Sequence, residues 1–180
     1  RWIALAALVL LDLGMLLLWS YRRDHRFDDL FRSAAQAYGL PPALVKAVAW
    51  QESRFNPDAR GGAGELGLMQ VTEDAALEWA TAARIAKFSH VQLLDPRTNT
   101  LAGAYYLAKV MRRYTNADNA LPYALADYNA GRGNVLRWIN TNRSAATNSA
   151  AFVAAVGFPS TRAYIQAVTE RYAHYRGRFP

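Results

Sequence analysis

One glutamate in the sequence is a candidate general acid. Residues 41–53 (PPALVKAVAWQES) are typical of a helix, because two prolines suit its first turn and apolar residues recur at helical spacing. Glu52 falls on the same face as Leu44, the apolar stripe, and not on the solvent side with Lys46. Burial and the negative C-terminal end of the helix both favour the protonated carboxyl, which suits acid catalysis near neutral pH. The alternative is a surface glutamate paired with Arg54.

A glycine-rich turn follows the predicted helix. Residues 61–67 read GGAGELG and lead into Leu68, Met69 and Gln70. Glycine permits positive φ and a close approach of backbone to a ligand, so this turn can fold tightly beside the glutamate. An ordinary flexible loop is the alternative. A phosphate-binding loop is excluded, because no Gly-Lys-Ser/Thr sequence follows the glycines.

Three segments, taken in order, resemble a known enzyme family. They are residues 52–57 (ESRFNP), 64–71 (GELGLMQV) and 126–131 (ADYNAG). Together they resemble the motifs of lytic transglycosylases that carry a soluble-transglycosylase, or goose-lysozyme-like, catalytic domain. The resemblance covers residues 27–175. Each motif alone is weakly specific, but three in this order within 80 residues are highly specific.

The resemblance implies a reaction. Members of this family have an α-helical, lysozyme-like fold and cleave the MurNAc-β-1,4-GlcNAc bond of peptidoglycan without water, leaving a 1,6-anhydro-MurNAc end. One glutamate, here Glu52, acts as general acid and then as base. Tyr128 would be the second catalytic residue and would hydrogen-bond Glu52; its alternative is a buried tyrosine of the core.

The resemblance also implies a saccharide groove, for which other residues are candidates. Gln70 and the Met69 backbone match family positions in the groove, and Asn129 either contacts sugar or fixes a turn. Tyr164 either stacks on a sugar ring or belongs to the core. The candidate substrate-binding residues are Ser53, Gly67, Met69, Gln70, Asn129 and Tyr164.

Other carboxyl groups are weaker candidates for chemistry. Glycosidases usually need two carboxylates, but one suffices when the C6 hydroxyl of the sugar is the nucleophile. Glu65 belongs to the loop, Asp74 suits a helix N-terminus, and Asp127 is expected to face solvent. We expect a structural role for each of the three.

The sequence departs from the family pattern at three positions. Glu73 stands where many members have proline, Gly61 where a serine is frequent, and Ser160 where a glutamate is frequent. These departures leave two alternatives open: a peptidoglycan-binding or secretion-apparatus scaffold with little turnover, and a goose-type hydrolase that uses water. The products distinguish them, since hydrolysis leaves reducing ends.

Composition narrows the class of partner. The 180 residues carry a formal net charge of +7 and no cysteine, which excludes disulfides and thiolate metal sites. A basic surface favours anionic partners such as a cell wall or acidic lipid, and no nucleic-acid-binding motif is present. The three histidines lack metal-ligand spacing, so we expect no metal and no cofactor. The expected partners are glycan strands and a membrane, and a secretion or wall-remodelling complex is a further candidate.

The N-terminal segment predicts a membrane anchor. Residues 2–19 are apolar apart from Asp12, close to the ~20 residues that span a bilayer, and tryptophans stand at both ends. An uncleaved anchor is favoured over a signal peptide, because no small-residue cleavage site follows. Positive charge is heavier on the C-terminal side, which alone would place the following domain in the cytoplasm. A wall enzyme must face outward, so we expect the inner membrane with the catalytic domain in the periplasm.

The remaining sequence predicts a single helical domain. Residues 1–23 form the anchor, or an uncleaved signal, and residues 24–180 form the lysozyme-like catalytic domain. No run alternates with period two, so the fold class is all-α with at most a minor hairpin near the glycine-rich loop. Besides the Glu52 helix, helices are expected at residues 24–39, 73–86, 97–114, 120–129, 134–140 and 161–176. Asp24 or Asp28 is expected to cap the first of these, Thr72 to cap the second, and Asp95-Pro96 to start the third.

Overall fold

The computed structural model describes residues 2–179, and all of their side chains except those of residues 3–9. The α-helices in this part of the chain are α1 (Trp2–His25), α2 (Asp28–Tyr38), α3 (Pro42–Ser53), α4 (Glu73–Ala82), α5 (Pro96–Arg113), α6 (Ala120–Ala130), α7 (Arg132–Thr141), α8 (Ser149–Ala155) and α9 (Pro159–Arg176). Short 3₁₀ helices lie at His90–Leu94 and Arg143–Ala146.

The all-α prediction is confirmed. The described residues contain no strand, and the predicted hairpin is reduced to isolated antiparallel bridges that join Leu66 to Arg60 and to Val71. Two predicted helix starts are also correct. Thr72 accepts a hydrogen bond from the Ala75 N–H at the start of α4, and Pro96 follows an Asp95 N-cap in α5.

Helix α3 is the centre of the domain. It packs against α2 on one side and α9 on the other, and α5 and α6 close the core behind them. Seven consecutive residues of α3, Ala43 to Ala49, are buried. A helix surrounded in this way has no solvent face, so the amphipathic reading of its sequence was only partly correct.

Lys46 is the clearest consequence of that packing. The sequence placed it on the solvent side, but only 1% of its surface is exposed. Its Nζ donates to Asp28 Oδ1 over 2.6 Å, and the rings of Tyr175 and Phe179 lie 4.9 and 4.6 Å from it. The ion pair and the aromatic faces offset the cost of removing the ammonium group from water.

The predicted boundaries were wrong at several helices. Helix α4 ends at Ala82 instead of residue 86, and α8 lies at residues 149–155, where no helix was predicted. Helix α2 begins at Asp28 after Phe27, which forms no side-chain cap hydrogen bond, so neither Asp24 nor Asp28 caps it as predicted. Tertiary packing sets these ends more strongly than local propensity.

Residues 1–23 were predicted to be a transmembrane anchor, and part of that segment lies outside the described side chains. Helix α1 forms over the predicted run. Within the described part of the chain, no helix combines the length and the apolar character needed to cross a membrane.

Candidate active site

Glu52 lies in the last turn of α3, where the chain reverses sharply. Arg54 and Phe55 both adopt positive φ, 54° and 63°, and the Arg54 N–H donates to the Trp50 carbonyl. The Ser53 hydroxyl donates to the Leu68 carbonyl over 2.8 Å, which ties the end of α3 to the segment after the glycine-rich turn. This tie brings two of the sequence motifs together and leaves the Glu52 side chain at a surface cavity.

The setting of Glu52 raises the pKa of its carboxyl to near neutral pH. Burial raises the pKa of Glu52 from 4.5 to about 7; a hydrogen bond from Tyr164 opposes this rise, and the charge of Glu65 adds to it. The Tyr164 hydroxyl donates to Glu52 Oε1 over 2.5 Å. Among the described residues no cation lies within 4.0 Å of this carboxyl. The carboxyl can therefore release and regain a proton close to pH 7.

The hydroxyl of Tyr128 does not reach Glu52. It donates to the Met69 carbonyl over 2.8 Å, and its ring lies 5.6 Å from that of Tyr106. Burial and, next, the charge of Glu52 hold the pKa of Tyr128 well above its usual range. The predicted hydrogen bond is thus made by Tyr164, while Tyr128 hydrogen-bonds the Met69 backbone.

The segment after the glycine-rich turn is held from below by Asn99. Its Oδ1 accepts from the Met69 N–H over 2.8 Å, and its amide donates to the carbonyls of Leu66 and Leu93. Gly67 adopts φ 74°, and a Cβ there would lie 2.3 Å from the Asn99 amide. Sequence reasoning missed Asn99, because a single asparagine in the first turn of α5 carries no motif signal.

Not all of the predicted site residues reach the cavity, which measures about 430 Å³. Glu52, Gln70, Tyr128 and Asn129 line it. Gly67 and Met69 lie beneath it, where the Met69 side chain packs against Gly103 and its backbone N–H and carbonyl are already hydrogen-bonded. Ser53 hydrogen-bonds within the turn that carries Glu52, and Tyr164 hydrogen-bonds Glu52 itself. Neither residue is among those that line the cavity.

The polar residues on the cavity wall are already oriented. Gln70 has φ 46°, and its Nε2 donates to the carbonyls of Gly67 and Ala59. The Asn129 Oδ1 accepts from the Thr161 hydroxyl over 2.8 Å, which fixes the amide on α6 against α9. Among the described residues, Gln70 Oε1 and Asn129 Nδ2 make no hydrogen bond, so both residues keep part of their hydrogen-bonding capacity.

Glu65 also lines the cavity, and it replaces the side chain that Gly61 lacks. A Cβ on Gly61 would lie 2.2 Å from Glu65 Oε2 and 2.9 Å from Gln70 Oε1. The Ala63 N–H donates to the same Glu65 oxygen over 3.0 Å. The carboxyl thus occupies the space where many family members have a serine side chain, and it belongs to the cavity rather than to a solvated loop.

Asp127 was expected to face solvent, and this was wrong. It is fully buried on α6, where Arg113 donates to its Oδ2 over 2.8 Å and the Tyr114 hydroxyl over 2.6 Å. Its Oδ1 has no hydrogen-bond partner among the described residues, and Asp127 is one of the residues that line the cavity. An acidic side chain was taken as a sign of exposure, whereas α5 supplies a cation and a hydroxyl that make burial possible.

Metal binding has no visible site in this part of the chain. Among the described residues, no group of three or more His, Cys, Asp or Glu side chains is placed to hold a metal ion. The groups that line the cavity include the carboxyls of Glu52, Glu65 and Asp127, together with several hydroxyl and amide groups.

Comparison with known proteins identifies relatives of this chain. A family model described as "Transglycosylase SLT domain" matches residues 29–151. The chain is 33% identical over 163 residues to the soluble lytic murein transglycosylase of Escherichia coli K12, covering 88% of this chain and 25% of that protein. It is 33% identical over 133 residues to the membrane-bound lytic murein transglycosylase C of Yersinia enterocolitica, covering 71% and 37%.

Solved structures give the same result. The 70 kDa soluble lytic transglycosylase SLT70 of Escherichia coli superposes with a TM-score of 0.74 at 34% identity, over 84% of this chain and 24% of that one. A complex of the 70 kDa soluble lytic transglycosylase with bulgecin A gives 0.76 at 33% identity, over 87% and 25%. The chain spans about a quarter of the length of these relatives. It belongs to the transglycosylase SLT domain family.

Proposed function

We propose that this chain is a peptidoglycan lytic transglycosylase, which cleaves the MurNAc-β-1,4-GlcNAc bond without water and leaves a 1,6-anhydro-MurNAc end. The observation that carries the proposal is Glu52, a carboxyl with a pKa of about 7 at a cavity wall, held by Tyr164. The names of the relatives, lytic murein transglycosylases, support the same substrate.

Two proton transfers at Glu52 complete the proposed reaction. In the first, the protonated carboxyl gives its proton to the glycosidic oxygen as the bond from C1 of MurNAc to that oxygen breaks. In the second, the C6 hydroxyl attacks C1, and its proton passes to the Glu52 carboxylate. One C–O bond breaks and one forms, no water is consumed, and Glu52 ends protonated. The substrate's N-acetyl group can assist at C1.

The proposed roles of the other residues follow from their contacts. Tyr164 and Ser53 position Glu52, the first through its carboxyl and the second through the turn. Tyr128 holds the Met69 carbonyl and presents its ring to the cavity. Gln70 and Asn129 line the cavity with amide groups, which we propose to contact sugar hydroxyl or N-acetyl groups. Gly67 and Met69 act through the backbone that carries Gln70.

Hydrolysis is the second candidate, and Glu65 is the observation in its favour. A water that attacks C1 needs a base, and glycosidases that use water employ a second carboxyl group. Glu65 lines the same cavity as Glu52 and adds to its raised pKa through its charge. If hydrolysis were the main reaction, the products would carry reducing ends instead of anhydro ends.

A digest of purified peptidoglycan tests both candidates. We expect muropeptides with 1,6-anhydro ends, one water lighter than reducing-end products by mass spectrometry. Glu52→Gln should reduce the rate at least ~10³-fold, because the side chain no longer carries the proton. Glu170→Gln is the matched control, since this exposed carboxyl lies on α9 outside the cavity. Reducing ends would select the hydrolase, and absence of cleavage with wall binding retained would select the scaffold.

The proposed substrate also sets the proposed location. Peptidoglycan lies outside the cytoplasmic membrane, so the domain would act in the periplasm. We further propose attachment to the inner membrane through α1, whose apolar side chains from Leu10 to Trp19 are largely exposed. One relative is named membrane-bound and another soluble. Flotation of the chain and of a version lacking residues 1–23 with lipid vesicles tests the attachment, which only the full chain should show.

A further inference from the structure

A second crevice lies where α1 meets the turn after α3. It measures about 580 Å³ and shares no lining residue with the Glu52 cavity. One wall comes from the last turns of α1 and carries Trp19, Arg22, Arg23 and Arg26, and the other comes from residues 53–57. The crevice is therefore distinct from the Glu52 cavity and lies at the C-terminal end of α1.

The crevice is rich in arginine and poor in acid. Arg22, Arg23, Arg26 and Arg54 line it, and within the described part of the chain none of them has a carboxylate within 4.0 Å. The Arg23 Nε is buried and has no hydrogen-bond partner among the described residues. The Arg23 guanidinium otherwise lies over the Trp19 ring at 4.7 Å. Donors without acceptors and positive charges without counter-charges suit an anionic ligand.

Arg54 is held in place by an unusual stack. Its guanidinium lies 3.2 Å from the centroid of the Trp50 ring, and that of Arg171 lies 3.5 Å from the same centroid. Two guanidiniums cannot occupy one face of an indole at these distances, so Trp50 lies between them. Burial, followed by the charges of Arg171 and Arg23, lowers the pKa of Arg54. Like charges are thus held together, and a bound anion would offset their repulsion.

The helix that leads into the crevice is apolar on its exposed surface. Seven large apolar side chains between Leu10 and Leu18 are each more than half exposed, and Trp19 follows at the crevice itself. An apolar helix followed by a tryptophan and then arginines is the order found at a bilayer surface, where acyl chains give way to headgroups. The arginines of the crevice and the apolar surface of α1 therefore both indicate a ligand that is anionic and lies at a membrane surface.

We propose that this crevice binds the phosphate headgroup of an anionic phospholipid, while the apolar side chains of α1 contact the acyl chains. The planar guanidiniums of Arg22, Arg23 and Arg54 match the paired oxygens of a phosphate, which lysine would contact only as a point charge. The proposal stands apart from the catalytic one. It also gives the arginines after the apolar run a binding role in the folded domain.

Vesicle binding by the full chain tests the proposal with matched single substitutions. Arg54→Gln and Arg97→Gln remove the same charge, but exposed Arg97 lies on α5 and does not line the crevice. Arg54→Gln should weaken binding to vesicles of phosphatidylglycerol and phosphatidylcholine in equal parts by about fivefold. Arg97→Gln should weaken it less than twofold, and neither should change binding to pure phosphatidylcholine. Peptidoglycan cleavage by Arg54→Gln should be unchanged, which separates this result from the catalytic one.

Several outcomes would overturn the lipid site. Equal losses for Arg54→Gln and Arg97→Gln would mean that net charge alone attracts the protein. Competition by millimolar inorganic phosphate that abolishes vesicle binding would identify a free phosphate site. If Arg54→Gln lost binding to isolated peptidoglycan but kept its binding to vesicles, the ligand of the crevice would be the cell wall. Thermal melting verifies the folding of Arg54→Gln, and if it fails, Arg22→Gln, on the exposed end of α1, takes its place with the same expected loss.

Discussion

Two carboxyl groups line the same cavity in opposite settings. Glu52, at the end of α3, meets one tyrosine hydroxyl and, among the described residues, no cation. Asp127, on α6, is fully buried and receives both the Arg113 guanidinium and the Tyr114 hydroxyl. Burial disfavours a charged carboxylate in both places, but only Asp127 has a positive partner to offset it.

The comparison shows that neighbours, not residue type or position, decide what an acidic side chain does here. A buried carboxyl without a cation holds a proton near neutral pH and can transfer it. A buried carboxylate paired with arginine instead fastens α6 to α5 and leaves one oxygen, Asp127 Oδ1, without a hydrogen-bond partner among the described residues. The first arrangement serves chemistry at a cost in stability, whereas the second serves stability.

The largest predicted effect is a pair of stability changes of opposite sign. The pKa of Glu52 is raised from 4.5 to about 7, which corresponds to a contribution of up to about 3 kcal/mol to the free energy of unfolding. This contribution is fully present below pH 4.5 and is lost as pH rises through 7. Glu52→Gln removes this loss, so at pH 8 it should raise the free energy of unfolding relative to the parent chain. Asp127→Asn should lower it by about 2–4 kcal/mol, because Arg113 loses its carboxylate.

Urea unfolding at pH 4 and pH 8 measures both changes. The gain of Glu52→Gln should shrink towards zero at pH 4, where the parent carboxyl is protonated in the folded and unfolded states. Glu170→Gln, an exposed control on α9, should change little at either pH. If Glu52→Gln and Asp127→Asn both destabilised the protein at pH 8, the contrast between the two carboxyls would be wrong.

How far the sequence predicted each feature depended on how local the feature is. The burial of the Glu52 carboxyl was predicted from the period of one helix, and the Thr72 cap from adjacent residues, although α3 is buried on all sides and not along one stripe. The hydroxyl that reaches Glu52 belongs to Tyr164, 112 residues away, and the resemblance offered Tyr128 as the nearer choice. Only the packing of α9 against α3 identifies the donor, and no local pattern contains that packing.

Charged residues in the core were the main source of error. Lys46 and Asp127 were placed in solvent because charged side chains are seldom fully buried without a partner. Each has its partner on another helix: Asp28 on α2 for Lys46, and Arg113 on α5 for Asp127. These pairs connect residues 18 and 14 positions apart, and a sequence does not show which charges will meet.

The next prediction separates the two tyrosines near the acid. The hydrogen bond from Tyr164 lowers the pKa of Glu52, so Tyr164→Phe should move the alkaline limb of the cleavage rate to higher pH. It should also slow cleavage about tenfold, because the carboxyl loses its orientation. Tyr128→Phe, the matched control, loses only the bond to the Met69 carbonyl. It should cost about 1 kcal/mol of stability and leave the limb in place.

A pH profile of kcat/KM for both variants gives the answer. A shift with Tyr128→Phe and none with Tyr164→Phe would mean that the assignment of the two hydroxyls is reversed. A shift with both would mean that the pKa of Glu52 depends on both tyrosines and not on the one hydrogen bond from Tyr164. Asp127 also accepts a hydrogen bond from a tyrosine, Tyr114. The contrast between Glu52 and Asp127 could then no longer be based on the single hydrogen bond to Glu52.

The smallest predicted effect comes from Glu65, the third carboxyl of the cavity. Its negative charge raises the pKa of Glu52, after burial and the Tyr164 bond in importance, so Glu65→Gln should move the alkaline limb slightly to lower pH. The direction is opposite to that of Tyr164→Phe, and salt should weaken the shift because this part of the cavity is open to water. Glu65→Gln should leave the ratio of anhydro to reducing ends unchanged if Glu52 alone carries the proton. Loss of reducing ends would instead mean that Glu65 activates a water, so that two carboxyls, Glu52 and Glu65, take part in the reaction.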